Sequence, residues 1–281
     1  MTIHVLMPVF NRLAMTKAML ACLQAQQVDE LLSIVVIDDG STDGTREFLN
    51  AQKDVTVMHG DGTLWWGGAI DVGMRHVLAN AATDDWVLLV NNDTHIDLGF
   101  VQELLSIGRS HAPAAVGSAV RDLQLPHRLL SIGPRIDAWY FRVTDILDVS
   151  SKASEPILDT GPVDALSGRG VLYPVAALKA VRGMRPRWLP HYLADYELAL
   201  RVRTAGWKLL VSPAVAVQSN NDFGSSFRGA TLRDRLFSER SPSYLPAKIR
   251  FWWAASNFWQ KISLPLRLAL FILFPRLRKN K

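Results

Sequence analysis

Three short apolar runs, each halted by Asn, Asp or Ser, constrain this chain more than any other feature. Residues 3–7 lead into Pro8-Val9-Phe10-Asn11. Residues 33–37 lead into Asp38-Asp39-Gly40-Ser41, and residues 86–90 into Asn91-Asn92-Asp93-Thr94. A short apolar run bounded by polar residues predicts a buried strand of the kind found in parallel sheets. Helical periodicity fills the gaps over 12–27, 45–51 and 65–82, with a fourth short strand predicted over 55–58. Strands alternating with helices predict βαβ crossovers and a mainly parallel, Rossmann-like α/β sheet flanked by helices. The three polar clusters then share the crevice at the strands' carboxyl ends, where such sheets bind ligands.

The chemistry offered there is acidic. In an extended segment Asn91 and Asp93, two apart, point to the same side. A carboxylate and an amide oxygen are hard ligands suited to Mg²⁺ or Mn²⁺; the plainer alternative is a polar turn after a buried strand. Asp38 and Asp39 suit hydrogen bonding to a ribose or a base N–H. Their alternative is helix capping, which Asp43 could supply equally well. Neither GxxxxGK[ST] nor a GxGxxG after the first strand is present. Phosphates here would need a metal ion, backbone N–H groups or basic side chains.

Beyond Gly99 the pattern changes. A helix is expected over 100–107, strands over 115–120, 129–132 and 140–143, and a polar loop over 150–160. Residues 163–173 read as a strand interrupted at Ser167-Gly168-Arg169-Gly170, where a backbone can approach a ligand closely. Pro174 suits the first turn of a helix to about 181. A further helix closes at Gly206 and carries Asp195 and Glu197 in its first turn. They read either as ordinary acids at a helix start, favoured by the dipole, or as a carboxylate base. Residues 207–217 suggest a strand pair around Pro213. No linker divides the body, and 281 residues that are 49% apolar suffice for one large α/β unit.

Charge sets the end of the chain apart. The net charge is +5, yet eight of the 31 lysines and arginines follow Arg240 with no acidic residue among them. The preceding 240 residues are therefore slightly acidic. The tail also carries Phe251-Trp252-Trp253, Phe258-Trp259 and the apolar run 268–274, which is far short of the ~20 residues a spanning helix needs. Pro265, Arg267 and Pro275 are expected to interrupt the wider segment. Tryptophan among basic residues suits a segment lying in an anionic membrane interface; the alternative is a helix packed on the body. Nucleic acid fits poorly, because an acidic crevice has the wrong sign for a phosphate backbone. One cysteine, Cys22, and an N-terminus without a basic leader point to a reducing, cytoplasmic setting.

These stretches resemble, in order, the inverting, metal-dependent family 2 glycosyltransferases. VLMPVFNR, VVIDDGSTDGT, VLLVNNDT, SGRGVLYP and ADYELALR carry the likeness over residues 3–218, and GDGTLWWGGAIDVG is similar to bacterial rhamnosyltransferase-like members. The resemblance implies a GT-A fold, a nucleotide-sugar donor and a saccharide acceptor. Asp38 and Asp39 match the pair that recognises base and ribose, and Pro8, Phe10 and Asn11 the first nucleotide-contacting turn. Gly68 and Asn92 are expected in the same donor-binding set. Asn91 and Asp93 fall on the DXD-type motif, with Asp93 the direct ligand of Mg²⁺ or Mn²⁺. Asp195 falls on the catalytic base, with Glu197 its acidic neighbour and Ala194 where a glutamate is frequent. Gln218 stands where the family often has a metal-binding histidine. Three sources remain for that ligand: Gln218, Asp222, or Asp93 with the diphosphate alone.

The expected organisation is a nucleotide-sugar half over 1–98, an acceptor and catalytic half over 99–225 and a basic aromatic tail over 226–281. Peripheral contact with the inner face of the plasma membrane through 246–281 would suit a lipid-linked saccharide acceptor. Two readings compete: a nucleotidyltransferase, and a non-catalytic, membrane-tethered nucleotide-sugar-binding protein. Trp65 and Trp66 read as stacking platforms or as packing. His191 reads as an acceptor contact or a structural histidine, and Arg169 as a phosphate contact or a surface arginine.

Overall fold

The computed structural model describes residues 1–150, 160–220, 231–239 and 241–273. The expected alternation opens the chain: β1 (Thr2–Val9), α1 (Leu13–Gln24), β2 (Leu31–Asp38), α2 (Thr45–Asn50), β3 (Val55–His59), α3 (Trp65–Asn80) and β4 (Trp86–Leu89). Then follow β5 (Thr94–His95), α4 (Phe100–Ser110), β6 (Ala114–Asp122), β7 (Leu129–Ser131), β8 (Pro134–Asp137), β9 (Arg142–Asp145), α5 (Ile146–Ser150), β10 (Gly161–Pro162), β11 (Val171–Pro174) and α6 (Val175–Val181). The rest comprises α7 (Ala194–Thr204), β12 (Lys208–Ser219), α8 (Leu232–Phe237), α9 (Leu245–Ala255) and α10 (Phe258–Leu273).

One sheet runs in the order β10-β12-β6-β11-β4-β1-β2-β3. β3, β2, β1 and β4 are mutually parallel, so their carboxyl ends lie along one edge of the sheet. β11 then enters antiparallel between β4 and β6, while β12 returns parallel to β6. Buried side chains form a cluster on each face. One contains Leu6, Ile37, Met74 and Tyr173; the other contains Met7, Leu20, Leu88 and Leu104. The alternation of β1 and β4 assigns neighbouring residues to opposite clusters, as an apolar strand covered on both faces requires.

Three local expectations are corrected. Residues 163–170 are not strand: after β10 the chain loops and re-enters the sheet only at Val171. The region around Pro213 is one long strand whose register against β6 shifts between Ser212 and Ala216, because a bulge accommodates a residue that cannot donate to the ladder. Pro265 lies inside α10 rather than ending a segment. There Leu264 is buried with Phe251, Trp252, Ala138 and Leu200, and this tertiary packing outweighs the loss of one helical hydrogen bond. The loop expected over 150–160 and the basic end PRLRKNK fall almost entirely outside the described residues.

α9 and α10 thus dock on the body by one face. Arg267 reinforces the contact by donating to the carbonyls of Ala138 (2.6 Å) and Trp139 (3.1 Å). Their other face exposes Trp253, Phe258, Trp259, Ile262, Leu266 and Leu270. Among the described residues no helix is long and apolar enough to cross a membrane.

Candidate active site

The carboxyl ends of β1 and β2 are laced together before any ligand is considered. Asn11 adopts a left-handed backbone (φ 56°). Its N–H donates to Ser41 Oγ (2.7 Å), and its Oδ1 accepts the Thr42 N–H (2.9 Å). Asp38 has no exposed surface. Its carboxylate accepts the Ser41 N–H (2.9 Å) and Arg46 Nε (3.1 Å), with His59 Nδ1 at 3.6 Å. Burial raises the Asp38 pKa, but the two Ser41 hydrogen bonds and Arg46 outweigh it and hold the carboxyl below its ordinary value. Asp43 ties the same turns by accepting the Leu13 and Thr45 N–H groups.

Asp39 reaches further along the chain. Oδ1 accepts the Gly62 N–H (2.9 Å) and Oδ2 the Trp65 N–H (3.1 Å). Gly40 makes the approach feasible: its φ is +80°, and a Cβ there would sit 2.9 Å from the Gly62 nitrogen. The two aspartates, expected to act as a pair, have diverged. Asp38 is consumed within the fold, whereas Asp39 supports the loop that opens α3. Pro8 is half-buried in β1 beside Ile37, and Phe10 stands exposed at the mouth of the crevice.

The Gly67-Gly68 pair lies in the first turn of α3. Gly67 makes the close approach: its N–H donates to the Pro190 carbonyl (2.8 Å), and a Cβ would stand 2.7 Å from that oxygen. Gly68 is buried in the helix and donates to Leu64.

After β4, residues 92–93 form a turn, so period-two alternation does not aim Asn91 and Asp93. Each is aimed by its own partner. Asn91 Oδ1 accepts the Trp66 indole N–H (2.9 Å), and Asp93 pairs with Arg12 Nη1 (2.8 Å). Asn92 is buried, its amide donating to Thr16 on α1 (3.0 Å), and that side chain anchors the turn. Gln218 stands opposite His95 in the β12–β5 ladder, its amide 3.5 Å from Asp97 Oδ1. Asp222 lies outside the described residues.

No group of three His, Cys, Asp or Glu able to hold a metal occurs among the described residues. Asp93 nevertheless fits a divalent ion that takes one carboxylate and completes its shell with diphosphate oxygens and water, as Mg²⁺ commonly does. Asn91 is a weaker donor than expected, since its oxygen already accepts a hydrogen bond.

The second half supplies the other wall. Asp195, in the first turn of α7, accepts the Gly168 N–H at Oδ2 (2.9 Å) and the Tyr196 N–H at Oδ1 (2.9 Å). Burial pushes its pKa up; those N–H groups and the Arg169 charge oppose this without cancelling it. Gly168 is a glycine because Trp66 lies against it: a Cβ would stand 2.1 Å from Trp66 Cζ2. Asn91, Trp66, Gly168 and Asp195 are therefore successive neighbours, joining the turn after β4 to the acid on α7. Glu197 takes a different part. It is buried and gripped by Arg201 through both oxygens (2.8 and 2.9 Å), so it fixes α7 rather than facing a substrate.

Two further side chains stand in this wall, Tyr173, which the sequence did not single out, and His191, which it left open between acceptor contact and structural histidine. The Tyr173 hydroxyl on β11 is buried and has no hydrogen-bond partner among the described residues. Burial and the Asp195 charge both push its pKa up. His191 has an Nδ1 with no hydrogen-bond partner among the described residues, packs against Tyr192 (4.3 Å) and Trp65 (5.8 Å), and has its pKa lowered by burial to about 4. It is a neutral imidazole near neutral pH. The sequence signals for this wall were the Trp65-Trp66 doublet, the glycine-rich bend, His191 and Asp195, which nothing local connects.

A parallel four-strand edge bearing Asn11, Asp39 and Asp93, faced by an antiparallel β11 and an acidic α7, is the arrangement of a GT-A fold. Residues 4–125 match the model of glycosyl transferase family 2. No curated protein matches the sequence. S. aureus TarS has a similar structure (TM-score 0.57, 16% identity, covering 78% of this chain and 37% of TarS). So does GalNAc-T7 with UDP, GalNAc and Mn²⁺ (0.68, 12%, covering 96% and 51%). A third is the mannosyltransferase PcManGT from Pyrobaculum calidifontis with GDP-Man and Mn²⁺ (0.54, 16%, covering 97% and 75%). The chain thus spans about a third of TarS and half of GalNAc-T7, and at these identities the likeness is one of fold. The family model thus covers the first part of the chain, and the structural likeness carries the GT-A fold over the rest.

Proposed function

We propose that the chain transfers a sugar from a nucleotide-diphosphate donor to a saccharide hydroxyl, with inversion and with Asp195 as the base. The observation that carries this is the contact series Asn91–Trp66–Gly168–Asp195, which sets a carboxylate of raised pKa against the turn holding Asp93. The half over 1–98 holds the donor, with Asp39, Phe10 and Asn11 nearest the nucleoside. The half over 99–225 holds the acceptor and the base.

In the reaction the acceptor oxygen attacks the anomeric carbon, and Asp195 takes the hydroxyl proton. The bond from that carbon to the diphosphate breaks in the same displacement. A raised carboxyl pKa favours this role, because a base works best when its pKa is closer to the working pH. Asp93 would hold Mg²⁺ or Mn²⁺, whose chemistry is to neutralise the leaving diphosphate. Arg12, 2.8 Å from Asp93, adds a second cation at that position. The Mn²⁺ in two of the similar structures is in keeping with this assignment. A nucleotidyltransferase would share the carboxylates but has no use for a positioned base on α7.

The exposed apolar face of α9 and α10 supports peripheral contact with an anionic bilayer, bringing the site to a lipid-linked saccharide at the cytoplasmic face. A rhamnosyl donor is favoured only by the GDGTLWWGGAIDVG stretch. The test is a panel of nucleotide sugars scored for binding and slow hydrolysis with Mg²⁺, Mn²⁺ or chelator. One donor bound and hydrolysed is the expected result; no binding to any donor would overturn the proposal and favour a non-catalytic tethered protein.

A further inference from the structure

A second cleft, of about 650 Å³, opens outside the donor crevice and is lined by Asp71, Arg75, Arg185, Arg187, Trp188 and Arg250. Its size falls within the ~300–1,000 Å³ usual for ligand sites. Its charge is one-sided, with four guanidinium groups facing one carboxylate. Asp71 is taken by Arg75 (3.0 Å). Arg185 lies 3.6 Å from Glu197, which Arg201 already grips with both nitrogens. Arg250 donates to the Trp188 carbonyl (2.8 Å). Among the described residues neither Arg187 nor Arg250 has a carboxylate within ion-pair distance. Several arginines converging on a cleft with an aromatic wall form a receptor for phosphate, whose oxygens match the guanidinium fork.

Three elements build this cleft, and each leads somewhere informative. Asp71 and Arg75 lie one and two turns beyond Gly67 on α3, away from the donor turns. The segment 184–188 runs on through Pro190, which backs Gly67, to His191 and Asp195. Arg250 sits on α9, one turn before exposed Trp253; α10 then exposes Trp259, Ile262, Leu266 and Leu270 at helical spacing along one stripe. The guanidinium cluster is thus joined by short stretches of chain to Asp195 on one side and to the exposed apolar stripe on the other.

We propose that this arginine cleft binds the phosphate or diphosphate of an amphiphilic acceptor whose lipid lies along the α9–α10 stripe. The proposal rests on the glycosyl-transfer reading for the acceptor's role, but the binding site can be tested without turnover. The full chain is titrated calorimetrically, with chelator present, using a C15 prenyl diphosphate and, separately, inorganic pyrophosphate. The Arg75→Ala/Arg187→Ala double variant alters two exposed side chains and is compared with the parent for both probes and for nucleotide-sugar binding.

The expected result is at least a tenfold loss of prenyl diphosphate affinity with donor binding unchanged. Arg75→Lys/Arg187→Lys is expected to recover part of that loss, since it keeps charge but not the fork. Tighter binding of the prenyl probe than of pyrophosphate assigns the phosphate to a lipid. Equal binding keeps the cleft as a phosphate site but overturns the lipid assignment. Unchanged affinity for both probes in the double variant overturns the site itself. Loss of donor binding in the parent chain would count against the glycosyl-transfer reading while leaving the cleft standing.

Discussion

The two walls of the crevice are built in contrasting ways. The donor wall is centred on ties within one turn, Asp38 on Ser41 and Arg46 and Asp43 on Thr45, to which Asn11 on Thr42 adds a contact across 31 residues between neighbouring strand ends. The base wall is assembled at a distance. Trp66 meets Asn91 across 25 residues, and Asp195 meets Gly168 across 27. The first wall has one turn, 38–46, that organises itself and to which its neighbours are tied. The second depends on α3, the 163–170 loop and α7 all being in place, so its geometry should be the more sensitive to single substitutions.

That contrast can be broken or sharpened by experiment. The largest effect is expected from Asp195→Asn, which should lower kcat by roughly 10²–10⁴ while leaving donor affinity intact. Loss of donor affinity with retained turnover would place the base elsewhere. Next is Glu197→Ala, which removes the carboxylate partner of half-buried Arg201 and should destabilise the chain by about 3 kcal/mol in denaturant unfolding. A smaller effect is expected from Gly168→Ala. Its methyl must displace Trp66 at a cost of about 1–3 kcal/mol, and kcat should fall more than donor affinity does. Equal losses in both would mean that the two walls are not separable.

The pH dependence follows from two shifts of opposite sign. The Asp195 pKa is raised above 3.8, and a base must be ionised. The acid limb of kcat/KM should therefore lie above that value and vanish in the Asp195→Asn background. The Asp38 pKa is lowered below 3.8. Its stabilisation is therefore complete above 3.8 and is lost as pH falls through its folded value. Asp38→Asn should reduce stability at pH 7 by about 1–3 kcal/mol and narrow the gap between pH 7 and pH 3. The smallest effect is expected at Arg12→Ala, whose pair with Asp93 is half in solvent and should contribute under about 1 kcal/mol to stability. Donor affinity, not melting, is where that substitution should register.

Four parallel strands and their order of polar ends were legible because buried strands leave continuous apolar runs, and turns must spend Asn, Asp, Gly and Ser at fixed offsets. Asp195 was legible as an acid at a helix start, though nothing local distinguished it from Glu197. The tail's double character was legible only as a choice between docking and membrane contact, and the structure assigns docking to one face of α9 and α10.

What sequence by itself determined was the βαβ frame and the residue types available at its edge. Hydrophobic periodicity and turn chemistry act over a few residues, and there the chain is explicit. Tertiary structure alone decided the use of each acid. Asp38 was drawn inward and Asp39 turned to the 60–65 loop, Glu197 was locked to Arg201, and Asp195 was left facing Gly168 in surroundings that raise its pKa. The reason is that a carboxylate's role depends on which donors reach it and how much water is excluded. Both are set by segments far apart in the chain, such as the Trp66 ring lying where a side chain on residue 168 would otherwise be.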